Sequence, residues 1–335
     1  MGKSSTMPIL LLSLLIIVTM VFPSSSFDSR LLLLKQAAYG HNFTPNESAS
    51  FLSFVDKVQV ESELVLTSLA NNNTALAQEH ATRAMELLKT KDPVNNVTWT
   101  EEIAEENQRI ADDLAMAVDN LEKATMSSSS LPQQQQQQMS TDINQLVNDI
   151  DAILGEAVTS RIDEEQRDNA TIRTLAFAEV INSILTDYGK AYAVGFDMTN
   201  MSNMAMPMTD HNSNSSSMVM NGMSSSSSSS SNMDSMNMSS MTMMDSGDKN
   251  KNYTLVNMAD YQSAQALAMK AQEIFKDELK SMAPSNATNF IAKLEDGLAT
   301  LNGAIESRAP PMHMMTIVHT QVHPNLMGAF DLELQ

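Results

Sequence analysis

Fourteen of the chain's 28 methionines fall between Met198 and Met244. Met198, Met201, Met204, Met206 and Met208 come first and lead to His211. Met218, Met220 and Met223 follow. Beyond the serine run 224–231 come Met233, Met236, Met238, Met241, Met243 and Met244. Spacings of two and three residues let one flexible loop wrap several thioethers round a single ion. Neutral, soft sulfur selects Cu(I), and an imidazole such as His211 adds a donor that also holds Cu(II). Thioethers have no proton to lose, so binding of this kind persists in acid, where thiolates and imidazoles weaken.

A second constellation closes the chain. Met312, His313, Met314, Met315, His319 and His323 gather three of the six histidines within a few turns' length. Thr316 to His323 is β-branched and alternating, which reads as a short strand or extended arm; as a strand or as a helix it puts His319 and His323 on one face. His80, between Ala77 and Ala84 on a helical pattern, reads instead as a partly buried histidine satisfied by a neighbour.

The composition of Met198–Met208, His211, Met218–Met223 and Met233–Met244 resembles the Met/His/Ser-rich extracellular segments of Ctr-type copper transporters. It is similar, too, to the methionine-rich inserts of periplasmic copper-resistance proteins and multicopper oxidases. The resemblance covers this linker-like tract alone and implies copper as the ligand, with a membrane transporter or a cuproenzyme as the partner.

The surrounding sequence suits such a role. Lys3 followed by the apolar run Pro8 to Phe22 and the small residues Pro23 to Ser26 reads as an export signal. The run is too short to span a bilayer comfortably, and no comparable stretch follows, so the expected mature chain has no membrane span and lies outside the cytoplasm. The sequence has no cysteine, which removes disulfides and thiolate sites and leaves methionine as the soft sulfur donor. A formal charge of −20 repels nucleic acid and attracts cations. Asn42, Asn46, Asn72, Asn96, Asn169, Asn200, Asn214, Asn237, Asn252 and Asn286 each open an Asn-x-Ser/Thr triplet, the glycosylation signal of an exported chain.

Helices must position these groups. Prolines fall between apolar-periodic segments and not inside them. Arg30 to Tyr39 is a candidate first helix. Thr44-Pro45-Asn46-Glu47 reads as a capping box opening a helix with Phe51, Val55, Val58, Val65 and Leu69 on one face, broken at Asn71 to Asn73. A helix from Thr74 to about Lys91 turns Ala77, Ala81, Ala84 and Leu88 inward. Another starts near Thr98, with Glu101 at the capping-box position, a stripe through Ile103, Ile110, Leu114, Ala117 and Leu121, and an outer face of Glu101, Glu102, Glu105, Glu106, Asp112 and Asp113. Ile143 to Ala157 and Ile172 to Tyr192 are periodic on either side of a fading stretch, and read equally as one helix or two. Helices near Thr254 to Met282 and after Ser285 complete the set, the last with Ile291, Leu294, Leu298, Leu301 and Ile305 as a bundle seam.

The expected fold is all-α: up-and-down helical bundles, with a disordered Met/Ser-rich insert 197–251. The expected layout is a leader 1–26, a helical unit 27–126, a Ser/Gln-rich linker 127–139, a second helical unit 140–309 and a Met/His-containing tail 310–335. No Glu-x-x-His pair, nucleophile elbow, phosphate loop or dinucleotide fingerprint is present, so an enzyme is not expected. The expected function is capture, buffering or delivery of copper outside the cytoplasm through the Met-rich loop. The alternative is an acidic, glycosylated helical protein of the cell envelope without a metal role.

Overall fold

The computed structural model describes residues 46–128, 133–200 and 253–332, and over them the chain is all-α. The expected leader 1–26, the segment Arg30 to Tyr39 and residues 201–252 of the Met-rich tract lie outside the described residues.

Helix α1, Glu47–Ala70, runs through the middle of the molecule. It packs against α2 (Thr74–Lys89), α4 (Gln133–Arg161), α6 (Ala170–Ala191) and α7 (Met258–Ile274). Burial therefore extends beyond the stripe expected from periodicity to Leu52, Phe54, Val60 and Leu64, with Ser50, Ser53, Ser62 and Ser68 buried where neighbours approach closely. Its cap is Asn46, whose Oδ1 accepts the Ala49 amide at 3.0 Å. The cap expected at Thr44 is thus displaced by two residues, because an asparagine at that position satisfies an orphan amide directly. At the other end Asn71 closes α1, Asn72 turns in the left-handed region (φ 56°) and Asn73 caps α2.

The inward alanines of α2 are all fully buried. After a loop held by a single bridge between Lys91 and Thr98, α3 (Trp99–Ser128) begins with the expected capping box: Glu101 and Thr98 exchange side-chain bonds with each other's amides at 3.1 and 3.3 Å. Asn107 interrupts α3 with an extended backbone, and its Oδ1 recaps the second half at the Arg109 amide.

Two expectations need correction here. Glu102 does not lie on a solvated face: it is 1 % exposed and paired with Arg161 at the end of α4, because the loop carrying Asp92 folds over it. The glutamine run, expected as linker, is helical from Gln133. Glutamine is a good helix former, and the run leads straight into the stripe of Ile143, Val147, Ile150, Leu154 and Ala157.

The fading of periodicity near Arg161 is a real break. Asp163 caps the short α5 (Glu164–Arg167), and Asn169 then caps α6. Beyond the tract, Asn257 caps α7, which continues through a π turn, Phe275–Leu279, to Met282. Helix α8 (Thr288–Glu306) follows. The chain then closes with α9 (Pro311–Ile317), a π turn at Val318–Val322 and α10 (His323–Phe330). Helices from both sides of the Ser/Gln-rich segment contribute to one hydrophobic core.

Burial raises several carboxyl groups. Asp56 is pushed up to about 6, against the attraction of Lys270, and Glu102 to about 7, against that of Arg161 and with Asp92 acting in the same direction as burial. Such groups keep protons in the folded state that the unfolded chain gives up at lower pH. Their stabilising contribution is full below their ordinary values, 3.8 and 4.5, and is lost as pH rises through the folded ones. Unfolding by denaturant is therefore expected at higher concentration near pH 5 than near pH 8. Glu102→Gln should flatten that dependence. A protein more stable near pH 8 would contradict the assignment.

Candidate functional site

The Met-rich tract leaves and re-enters the fold at one carbonyl. Helix α6 ends at Ala191, and Ala193 turns left-handed (φ 49°) so that the Val194 amide reaches back to Gly189 O at 2.9 Å. Such a turn satisfies carbonyls that a helix end otherwise leaves open. The Ala191 carbonyl itself accepts the amides of Val256 (2.8 Å) and Asn257 (3.2 Å) from the returning chain.

Met198, the first methionine of the tract, is 2 % exposed and packs against Gly189; a Cβ at 189 would lie 3.1 Å from its Sδ. Its carbonyl accepts a bond from His319 Nε2 at 3.3 Å. A carbonyl only accepts, so Nε2 carries the proton in that bond. The His323 ring stands edge-on to His319, with centroids 5.2 Å apart. The first methionine of the tract and two histidines of the tail thus meet at this junction.

The tail is a helix and not a strand or arm. Pro311 starts α9, and Pro311, Met315, Val318, Val322, Leu326 and Ala329 are buried at helical spacing against the bundle, so packing overrides the β preference of Thr, Ile and Val. The π turn lies just before Pro324 and contains Thr320, the residue whose carbonyl the proline ring would otherwise crowd. Met314 and Met315 are fully buried in the core, Met312 is half-buried and His313 is exposed. Within the tail, His319 and His323 are the pair brought together. Met201, Met204, Met206, Met208, His211, Met218, Met220, Met223, Met233, Met236 and Met238 lie outside the described residues.

Across α6 from this junction a cleft of about 570 Å³ opens beside the neck of the tract, with Lys190 and Asn257 on its wall. Beneath it Glu61 of α1 accepts bonds from His80 Nδ1 (2.8 Å), Arg83 Nε (3.2 Å) and Ser263 Oγ (2.6 Å), while His80 Nε2 meets the Gln262 amide oxygen at 3.0 Å. Arg83 also pairs with Asp260 and, at 3.5 Å, with Asp187. Burial opposes the guanidinium's charge, but Glu61, Asp187 and Asp260 outweigh it and hold Arg83 above its ordinary value. On the same wall burial pulls the Lys57 ammonium down, against the attraction of Glu179, Asp187 and Asp56, and it pushes Asp187 up. Five carboxylates face three cations along the cleft. Among the described residues no group of three or more histidine, aspartate and glutamate side chains is placed to hold a metal ion.

His80 is the satisfied core histidine its sequence setting implies. Glu61, Arg83, Asp187 and Asp260 escaped sequence reasoning. The available signal was the pairing of His80 with Arg83, two large polar residues on a helix whose other inward residues are mostly alanine.

Removing the Glu61 charge should leave Arg83 and His80 without their shared acceptor. Breaking a buried ion pair costs about 3 kcal/mol or more, so Glu61→Gln should lower the unfolding free energy by about that amount in a denaturant titration; an unchanged midpoint would refute the role. The π turn bearing His319 sits tightly on Gly297, where a Cβ would lie 3.3 Å from the Gln321 backbone. Gly297→Val should cost about 1–3 kcal/mol through overpacking and shift the His319 and His323 ring resonances.

Comparison with known protein families, curated protein sequences and solved structures finds no match.

Proposed function

We propose that this is an exported copper-binding protein that captures or buffers Cu(I) outside the cytoplasm, with the Met-rich tract as its principal ligand array. One observation carries the reading: the tract is tied at its neck by the Ala191 carbonyl, and its first methionine is seated beside the His319–His323 pair. A ligand-bearing loop needs a fixed base and freedom beyond it. Here the base is built from helix ends, with Met198 packed into the core beside them.

The chemistry follows from the donors. Thioether sulfur favours Cu(I) over hard cations, and the absence of cysteine leaves methionine as the soft donor that disulfide formation does not consume. Two imidazoles at the neck supply harder nitrogen donors next to the sulfur-rich segment, an arrangement suited to handing an ion from loop to fold. The acidic surface raises the local concentration of cations. No helix among the described residues is long and apolar enough to cross a membrane, so delivery would be to a separate membrane transporter or cuproenzyme.

The test is a Cu(I) titration of the chain lacking its leader, against a competing chelator. The parent should hold several ions, with capacity nearly unchanged between about pH 7 and about pH 5 because thioethers need no deprotonation. Replacing 201–252 with a short Gly/Ser link should remove most of that capacity while the helical circular-dichroism signal is kept. His319→Gln with His323→Gln should weaken the remainder. Equal capacity in the deletion variant would sink the proposal.

A further inference from the structure

Six of the asparagines that open Asn-x-Ser/Thr triplets fall within the described residues, and not one of them lies in the body of an α-helix. Asn72 and Asn96 occupy turn tips with left-handed backbones (φ 56° and 62°). Asn169 caps α6, and Asn286 sits in the one-turn 3-10 helix before α8. All four are exposed, and none of them donates a hydrogen bond from Nδ2 to another described residue. At Asn169 it is Oδ1 that caps the helix, accepting the Thr171 and Ile172 amides at 2.9 and 3.2 Å, so Nδ2 is left over. Asn46 and Asn200 differ in being half-buried.

The up-and-down order of the helices distributes these sites unevenly. Arg161, ending α4, reaches Glu47 at the start of α1 and Glu102 at the start of α3. Arg173, in the first turn of α6, reaches Glu278 near the end of the α7 segment. The loops carrying Asn96, Asn169 and Asn286 therefore share one end of the bundle. The Ala191 neck is at the other.

We propose that Asn72, Asn96, Asn169 and Asn286 carry N-linked oligosaccharides, three of them at the end of the bundle remote from the Ala191 neck. The donor is an oligosaccharide linked through phosphate to a membrane lipid. The asparagine Nδ2 attacks the sugar's anomeric carbon, and an N–C bond forms as the C–O bond to phosphate breaks. The lipid phosphate leaves with the electron pair, and one amide proton passes to base. Bulky, strongly hydrated glycans solubilise the surface they cover. The three at this end shield the loop ends of the helices there, while Asn72, in the loop after α1, places one at the opposite end.

The proposal rests on the export reading of residues 1–26, and its test separates the two. The full chain is produced, with its own N-terminal segment, in cells that N-glycosylate exported proteins. Enzymatic deglycosylation in heavy-oxygen water then marks each formerly occupied asparagine as labelled aspartate in the mass spectrum. Label is expected at all four positions. Asn96→Asp, Thr171→Ala and Asn286→Gln should each remove one glycan from the intact mass, and Thr171→Ala does so while keeping the Asn169 cap. Secreted protein unlabelled at these positions overturns the proposal and leaves export standing. Protein retained in the cytosol and unlabelled overturns both.

Discussion

A carboxylate buried on the central helix sets most of the geometry. Glu61 sits where α1 is enclosed by α2, α6 and α7, and a charge in that position is tolerable only if fully matched. His80 and Arg83 match it from α2, and Ser263 from α7. Arg83 then reaches on to Asp187 of α6 and Asp260 of α7. One acid therefore fixes the rotation of three helices about the fourth. Apolar packing supplies most of the driving force, but it is non-directional; the network selects the register. It also brings the last turn of α6 beside the first turn of α7, where the Ala191 carbonyl can receive the returning chain.

That junction is what lets a long polar segment interrupt a bundle. Loop closure costs grow only slowly with length, so the tract adds little burden once its neck is held by two amides on one carbonyl. Met198 is part of the neck and is a packing residue first: it fills the space that Gly189 leaves. The division of labour is clear along the chain, with buried methionines such as Met198, Met314 and Met315 serving the fold.

Much of the helical fold was legible because its signals are local. Asn71–Asn73 marks a break, Thr98 with Glu101 a start, and Ile291 to Ile305 a seam, and each is found where its chemistry requires. Errors arose where tertiary packing decides. A single stripe on α1 understates a helix surrounded on all sides, and Glu102 looks solvated until the loop bearing Asp92 folds over it. Residue preference suggests a short strand or extended arm for the tail, whereas its buried positions from Pro311 to Ala329 keep helical spacing. The meeting of Met198 with His319 lies beyond any local signal, since it depends on α9 and α10 returning along α6. The Glu61 network was likewise hidden, its members being scattered over four helices with nothing in their spacing to link them.

The claim that thioethers hold the metal is open to direct inspection by X-ray absorption at the copper edge of Cu(I)-loaded protein. A first shell dominated by sulfur at low coordination number is the predicted spectrum, unchanged on mild acidification. A shell of nitrogen and oxygen scatterers, or copper lost on gel filtration, would contradict the account.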